Sequence, residues 1–248
     1  MHNQTGTGQV AGACTARVIP LLKSPDDLPS LRCYRPLDPG RQRLELMVRE
    51  TFAHSYDARP CKLPRDLLGF EARGKLLGVT GLRPAAEGRL FSEQYLDRPI
   101  EALISDYAGA PVAREHIVEA GNLAPCCHGE ARWLIAAVTA YLHSAGFHWV
   151  LFTAVTRLHN AFRRMGLEPV TLALAEAHRL GDEAENWGNY YAQSPQVCFG
   201  SIRSGAEQLQ AAIGTQQSRL AVLWQRASAA GQDYREGRDR ALAWQQQA

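Results

Sequence analysis

The sequence lacks a long apolar run, a marked excess of charge of one sign and a high density of cysteine. Across its 248 residues, no apolar stretch approaches the roughly 18 residues that a membrane helix needs, so no stable membrane insertion is expected. The formal net charge is only +2, and no basic cluster stands out, so no nucleic-acid partner is expected. The N-terminal segment lacks the basic region and apolar core of a secretory signal, which predicts a cytoplasmic location.

The six cysteines have neither the paired spacing of a zinc site nor the density of a disulfide scaffold. Free thiols and no bound metal are therefore expected. Cys126 and Cys127 are adjacent and directly precede a predicted helix start, where thiol pKa values are lowered. Two interpretations of this pair stay open: a nucleophile that takes up an acyl group, or inert packing.

Three regions of different composition divide the chain. Residues 1–30 are rich in Gly, Thr, Ser and Pro, which predicts a flexible N-terminal arm. Residues 31–202 are long enough to bury one substantial core and are predicted to form a single domain. Residues 203–248 carry apolar side chains at helical spacing within a Gln- and Ala-rich stretch. They predict a C-terminal helical extension that packs on the domain or binds a partner.

Local patterns in the first part of the domain predict a helix, a hairpin and a helical insertion. Apolar residues recur at helical spacing over residues 44–56. Two short strands are predicted over 67–72 and 75–82, because Arg73 and Gly74 between them are typical of a hairpin turn. Residues 91–106 are predicted to form the helical insertion.

The next part of the domain predicts a strand, a helix, a strand and a helix in unbroken order. Short apolar and polar positions alternate over residues 115–124, as in a strand. A helix of about four turns is predicted to begin at His128 or Gly129. Residues 149–155 are continuously apolar, which predicts a strand covered on both faces and parallel to the first. The second helix is predicted over residues 158–165.

The turn before the first of these helices is a candidate anion-binding site. Unpaired amides at a helix start, with the positive end of the helix dipole behind them, favour a phosphate or pyrophosphate. The candidate residues are His128, Gly129, Glu130, Ala131 and Arg132. An ordinary helix N-terminus that contains a glycine would show the same pattern, so both interpretations stay open.

Three separated motifs carry a resemblance to a known family. They are VEAGNLA at 118–124, WVLFTAVTRLHNAFRRMGLEP at 149–169 and WGNYYAQSPQVCFGSI at 187–202. In this order they resemble the thermostable hemolysins, which are related to N-acyltransferases of the GNAT superfamily. The resemblance covers roughly residues 44–202 and implies an α/β (α+β) fold. That fold is a GNAT-like mixed, largely antiparallel sheet, splayed between its fourth and fifth strands and flanked by helices, here with a C-terminal helical tail.

Within that superfamily the chain looks most like the acyl-homoserine lactone synthases and the N-acyl amino acid synthases. This resemblance implies transfer of a fatty acyl group to an amine such as an amino acid, in natural-product or lipid biosynthesis. The donor would be a phosphopantetheine thioester on coenzyme A or on an acyl carrier protein, with no permanently bound cofactor. A small-molecule amine and an acyl carrier protein are the expected partners, and a homodimer stays open.

The resemblance also assigns roles to residues. Glu119 matches a catalytic glutamate and would take the proton of the acceptor amine. Asn122 would orient the acceptor or cap the chain, and these two interpretations have equal weight. The backbone of Leu123 and Ala124 would bind the pantetheine arm, with amides near Leu123 stabilising the oxyanion.

The acceptor site is expected under a lid formed by the first helix and the loop that follows it. Its candidate residues are Phe52, Tyr56 and Arg59, to which Thr153 and Phe162 add further candidate substrate contacts. In the alternative without a functional role, Phe52 is a residue of the hydrophobic core and Arg59 is a solvent-exposed charge.

The sequence departs from the family patterns in three ways. Gly121 and Asn122 stand where the synthases have a Ser-Arg pair, which argues against S-adenosylmethionine chemistry. Phe162 stands where many acetyltransferases have a tyrosine that protonates the leaving thiolate; Tyr190 and Tyr191 are candidates for that role. The turn at 128–131 keeps only part of the coenzyme A loop pattern, which favours a carrier protein as donor.

Two functions of other classes remain as alternatives. One is a membrane-active toxin, which requires a secretion signal and an amphipathic or apolar surface. The sequence shows neither, apart from the tail after Ile202, whose polar face is rich in Gln rather than Lys. The other is a catalytically inactive module that binds a carrier protein as a scaffold. The missing tyrosine at Phe162 favours this second alternative.

Overall fold

The computed structural model describes residues 29–126, 131–213 and 219–245. Within these ranges the strands form one seven-stranded sheet with the order β1-β2-β3-β4-β5-β7-β6. Every neighbouring pair is antiparallel except β4 and β5. The strands are β1 (Ser30–Tyr34), β2 (Asp66–Ala72), β3 (Lys75–Pro84), β4 (Ile117–Pro125), β5 (Trp149–Ala154), β6 (Val170–Leu174) and β7 (Gln196–Ser201). The predicted mixed, largely antiparallel sheet is confirmed.

Helices cover both faces of this sheet. One face carries α1 (Arg41–Tyr56) and α2 (Ile100–Ala108). The other face carries the remaining four helices of the described chain, which are α3 (Ala131–Ser144), α4 (Thr156–Arg164), α5 (Ile202–Ile213) and α6 (Arg219–Gln245). None of the described helices is both long enough and apolar enough to cross a membrane.

The largest core lies between the sheet and the helices α3, α5 and α6. Leu134 and Tyr141 of α3, Leu209 of α5, and Trp224 and Tyr234 of α6 are buried in this one cluster. The two helices of the predicted C-terminal extension thus share a core with the domain. The domain boundary at residue 203 stays a prediction. The flexible N-terminal arm also stays a prediction, because residues 1–28 lie outside the described part of the chain.

The β2–β3 hairpin forms where the sequence predicts it. Arg73 and Gly74 both adopt positive φ angles, 50° and 71°, which is the backbone that a two-residue hairpin turn requires. The strands pair with a register shift after Phe70, which marks a bulge. This hairpin places β3 next to β4 in the sheet.

The splay between β4 and β5 positions the functional region. Their parallel pairing covers only residues 117–119 of β4 and 149–151 of β5, after which the strands separate. On its other side, β4 bulges away from β3, because Gly121 faces Gly81 whereas Ala124 faces Val79. Asn122 lies in this bulge with a φ of 53°. The predicted splay is confirmed, and the bulge is an additional feature that bends β4.

Candidate active site

A cavity of about 1180 Å³ opens at the splay and reaches both faces of the sheet. On one face it is bounded by α1 and by the 3-10 turns at Ser92–Tyr95 and Tyr190–Gln193; on the other it is bounded by α3, α4 and α5. This volume lies just above the range of about 300–1,000 Å³ that small-molecule sites usually have. The gap between β4 and β5 connects its two sides.

Glu119 presents a buried carboxylate to this cavity. Only 6% of the residue is exposed. Its Oε1 accepts hydrogen bonds from the amide of Ser92 at 2.7 Å and from the Ser92 hydroxyl at 2.6 Å. Its Oε2 accepts the amide of Phe91 at 2.8 Å and lies 3.7 Å from Arg83 Nη1. Three donors and one guanidinium therefore compensate a charge that burial alone would destabilise.

Glu93, which belongs to the Ser92–Tyr95 turn itself, ties this turn to the residues before and after it. The Glu93 carboxylate accepts the amides of Leu90 at 2.8 Å and Ile100 at 3.0 Å, and it pairs with Arg114 at 2.8 Å. Burial raises the pKa of Glu93, but the Arg114 guanidinium and the two amides outweigh it and lower the pKa to about 2. Two glutamates thus fix the position of Ser92.

An aromatic wall closes the cavity on the α1 face. Phe52 and Tyr56 of α1 lie with ring centroids 5.6 Å apart. Trp187 lies 5.9 Å from Phe52, and Tyr190 lies 5.1 Å from Tyr56. Burial raises the pKa of both Tyr56 and Tyr190, so both phenols stay protonated near neutral pH.

Gly188 allows the chain carrying Trp187 and Tyr190 to approach α1. Its φ is 50°, and a Cβ atom there would overlap the carbonyl oxygens of Tyr56 and Asp57. The amide of Asn189 donates to the carbonyl of Tyr56 at 2.8 Å. A glycine with positive φ at a close backbone contact therefore holds the aromatic wall in place.

The side chains that line the cavity divide into an apolar part and a cationic part. The apolar part lies between α3, α4 and α5 and includes Ile135, Val138, Leu142, Phe152, Leu158 and Leu167. The charged lining residues are five cations and two acids: Lys62, Arg83, Arg132, Arg157, Arg164, Glu119 and Glu168. This excess of positive charge suits an anionic co-substrate.

Most of the candidate residues from the sequence lie together. Those lining the cavity are Phe52, Tyr56, Glu119, Asn122, Leu123, Ala131, Arg132, Thr153 and Phe162. Ala124 is fully buried and faces Val79 of β3 rather than the cavity. The side chain of Arg59 is exposed, and the amide of that residue bonds the carbonyl of Asn186 at 2.6 Å, so Arg59 is not part of the lining.

Three of the candidate residues from the sequence fall outside the described residues. His128, Gly129 and Glu130 belong to the segment 127–130, which the structure does not describe, so the predicted anion site is defined only from Ala131 onwards.

The two tyrosines that the sequence offers as proton donors lie in different places. Tyr190 lines the cavity, whereas the hydroxyl of Tyr191 lies 2.7 Å from that of Tyr95.

Phe162 and Cys126 also lie close to this region. Phe162 packs against Phe152 with ring centroids 5.0 Å apart. Cys126 is half-buried just after β4 and is not among the residues that line the cavity, while Cys127 lies outside the described chain.

Sequence reasoning missed Ser92, Phe91, Arg83 and Trp187, all of which line the cavity. Ser92 reaches Glu119 across 27 positions of sequence. A serine in a polar stretch carries no signal of such a long-range contact. Only the VEAGNLA motif around Glu119 indicates that this part of the chain has a function.

Solved structures with a similar fold include three synthases. FeeM, an N-acyl amino acid synthase from uncultured soil microbes, is 14% identical, with 76% of this chain and 99% of that chain covered and a TM-score of 0.49. The acyl-homoserine lactone synthase LasI is 11% identical, with coverage of 71% and 91% and a TM-score of 0.47. MesI, a CoA-dependent acyl-homoserine lactone synthase, is 17% identical, with coverage of 76% and 97% and a TM-score of 0.46.

No protein of curated function matches this chain in sequence. The sequence model of the thermostable hemolysins, in contrast, matches residues 34–206. This range runs from the last residue of β1 into α5 and so contains the splay, Glu119 and all the residues that line the cavity except Gln208. The chain belongs to the thermostable hemolysin family.

Proposed function

We propose that this protein is a cytoplasmic N-acyltransferase that moves a fatty acyl group from a phosphopantetheine thioester to a small-molecule amine such as an amino acid. The observation that carries the proposal is the splay of β4 from β5, which opens into a large cavity beside the Glu119 carboxylate. The reaction would serve natural-product or lipid biosynthesis.

The pantetheine arm would enter between the two strands. Beyond Glu119, the edge of β4 that faces β5 is no longer paired with it, and this edge passes through Leu123 and Ala124. An unpaired strand edge presents amide and carbonyl groups that bind an extended ligand, and the arm contains two amides of its own. Binding would therefore extend the sheet by one pseudo-strand.

The acyl chain and the amine would occupy opposite sides of the splay. The apolar part of the cavity, lined by Ile135, Val138 and Leu142, suits a fatty chain. The face with Glu119 and the aromatic wall suits an amine. The acyl carbonyl would then lie between them, within reach of amides near Leu123 that stabilise an oxyanion.

The reaction itself needs proton transfer rather than a metal or redox cofactor. The amine nitrogen attacks the thioester carbonyl carbon, the C–N bond forms and the C–S bond breaks, while one proton moves from nitrogen to the departing sulfur. Glu119 would take up that proton. Tyr190 keeps its phenolic proton and lines the cavity, so it is our candidate donor to the thiolate in place of the absent tyrosine at Phe162.

We propose an acyl carrier protein as the donor. Carrier proteins are acidic and present their phosphopantetheine arm from outside. Arg132 is exposed at the start of α3 and Arg157 at the start of α4, and both border the cavity. Such a positive rim would attract an acidic partner and would speed its association at low salt.

The experiment is intact mass spectrometry of the products. The protein is mixed with octanoyl and palmitoyl thioesters of carrier protein and of coenzyme A, together with a panel of amino acids and polyamines. We expect an N-acylated product, formed faster from the carrier-protein thioester. Glu119→Gln should lower the rate by about 10²-fold or more, as is usual when a general base is lost.

The contrary result is equally clear. Intact thioesters and no product with any amine would refute the proposal. Because Phe162 replaces the usual tyrosine, that result would favour a scaffold that binds carrier protein without catalysis. Binding would then persist unchanged in Glu119→Gln.

A further inference from the structure

Three oxygen-bearing side chains form a continuous hydrogen-bonded row at the splay. The Ser92 hydroxyl donates to Glu119 Oε1 at 2.6 Å. The same hydroxyl oxygen lies 3.0 Å from Thr153 Oγ1. Ser92 is only 2% exposed, whereas Thr153 is half-buried on β5, and all three residues line the cavity. The row therefore runs from a buried carboxylate to a hydroxyl at the cavity wall.

The direction of each hydrogen bond follows from the chemistry of the groups. A carboxylate only accepts, so the single hydroxyl proton of Ser92 must point to Glu119. Ser92 then has no proton for Thr153, so the Thr153 hydroxyl donates to the Ser92 oxygen. Thr153 is left with oxygen lone pairs able to accept a hydrogen bond from a bound ligand.

Direct access to Glu119 is restricted by its own partners. Oε1 already accepts two hydrogen bonds from Ser92, and Oε2 accepts the Phe91 amide and faces Arg83 at 3.7 Å. These three hydrogen bonds fill most of the roughly four lone-pair positions of the carboxylate, and an amine at the remaining position would compete with the Arg83 guanidinium. At Thr153 it would displace none of them.

We propose that Thr153 and Ser92 relay the proton of the acceptor amine to Glu119. This inference rests on the acyl transfer proposed above. The N–H proton passes to Thr153 Oγ1 as the C–N bond forms, the Thr153 proton passes to Ser92, and the Ser92 proton passes to Glu119 Oε1. Tyr190 gives its phenolic proton to the thiolate that leaves when the C–S bond breaks, and the proton held by Glu119 then restores the phenol by way of solvent, so one proton moves from nitrogen to sulfur and no co-reactant is needed.

Thr153→Val tests the relay because valine keeps the shape of threonine and removes only the hydroxyl. The Thr153 hydroxyl makes one hydrogen bond within the described chain, to Ser92, so folding should survive. Single-turnover acyl transfer should slow by about 10²-fold, while the affinity for the thioester stays unchanged. Thr153→Ser, which restores a hydroxyl, should recover most of the rate.

The matched control is Thr171→Val. Thr171 is an exposed strand threonine on β6 whose hydroxyl bonds Gln196 at 3.2 Å, away from the cavity. Its transfer rate should equal that of the wild type. A solvent isotope effect that shrinks in Thr153→Val and returns in Thr153→Ser would add a readout that packing alone does not change.

The outcomes separate the relay from the proposed function. If the wild type transfers the acyl group and Thr153→Val does so at the same rate, the relay is overturned and the acyltransferase proposal stands. A rate loss matched by an equal loss of thioester affinity, or not restored by serine, would also overturn it. Absence of any transfer by the wild type would refute the acyltransferase and the relay together.

Discussion

At the residue scale, two adjacent tyrosines have different surroundings and different expected roles. Tyr190 lines the cavity, while the hydroxyl of Tyr191 pairs with Tyr95. Tyr190→Phe should lower the single-turnover rate of transfer by about tenfold or more with little change in thioester affinity, because it removes the proposed donor to the thiolate. Tyr191→Phe serves as the control and should retain the rate. Equal effects of the two substitutions on the rate would contradict this assignment.

Glu93 gives a prediction on stability against pH. Its pKa in the folded chain is about 2, below the ordinary value of 4.5. The ionised Glu93 carboxylate therefore adds to the free energy of unfolding above about pH 4.5, and this contribution is lost as the pH falls towards 2. In urea unfolding at neutral and at acidic pH, Glu93→Gln should show a weaker loss of free energy of unfolding on acidification than the wild type.

Glu207 provides the control for this prediction. Its carboxylate pairs with Arg203 at 3.0 Å on the exposed side of α5, where water screens the ion pair. Glu207→Gln should therefore follow the pH dependence of the wild type. If Glu93→Gln followed it as well, the contacts of Glu93 would have no part in acid unfolding.

At the scale of elements, Gly188 connects the aromatic wall to α1. Gly188 and Gly181 have similar backbones with positive φ, with φ/ψ of 50°/−125° and 57°/−136°, but only Gly188 meets other backbone atoms at the Cβ position. Gly181→Ala should cost about 1–3 kcal/mol for the backbone conformation alone. Gly188→Ala should cost at least about 1 kcal/mol more, because the added methyl group overlaps carbonyl oxygens of the α1 terminus.

Chemical unfolding of the two glycine variants measures this difference directly. The Michaelis constant for the amine should also rise in Gly188→Ala, because the aromatic wall must shift. Equal unfolding free energies would mean that the contact between residues 187–190 and α1 is not tight.

The elements predicted from the sequence are those with local signals. The helix at 44–56, the hairpin turn at Arg73 and the strand at 149–155 all rest on periodicity or turn chemistry, and the structure has them within a few residues. The short strands β1, β6 and β7 were not predicted. They have five or six residues each, and each is defined by pairing with a distant partner rather than by its own pattern.

The candidate site was predictable to a similar extent. Glu119 was identified because a motif surrounds it. Its partner Ser92, the guanidinium of Arg83 and the bulge at Asn122 depend on how separate segments meet. Such contacts have no periodic signature, so residue pattern alone does not specify them.

At the scale of the whole molecule, one C-terminal helix packs against the sheet through a buried hydrogen bond and the other lines the cavity. Tyr234 of α6 donates to the buried Asp66 of β2 at 2.9 Å, and Ser204, Gly205 and Gln208 of α5 line the cavity itself. The segment beyond residue 202 therefore contributes to both stability and the binding volume. We expect the full chain to be needed for the proposed activity.

The central claim is that one thioester is consumed for each amine acylated at the splay. The most direct measurement is release of free thiol from octanoyl carrier protein, followed with and without amines and alongside the mass of the product. The account predicts thiol release that depends on an amine and yields one amide per thiol. Thiol release that is independent of any amine, or no release at all, would contradict it.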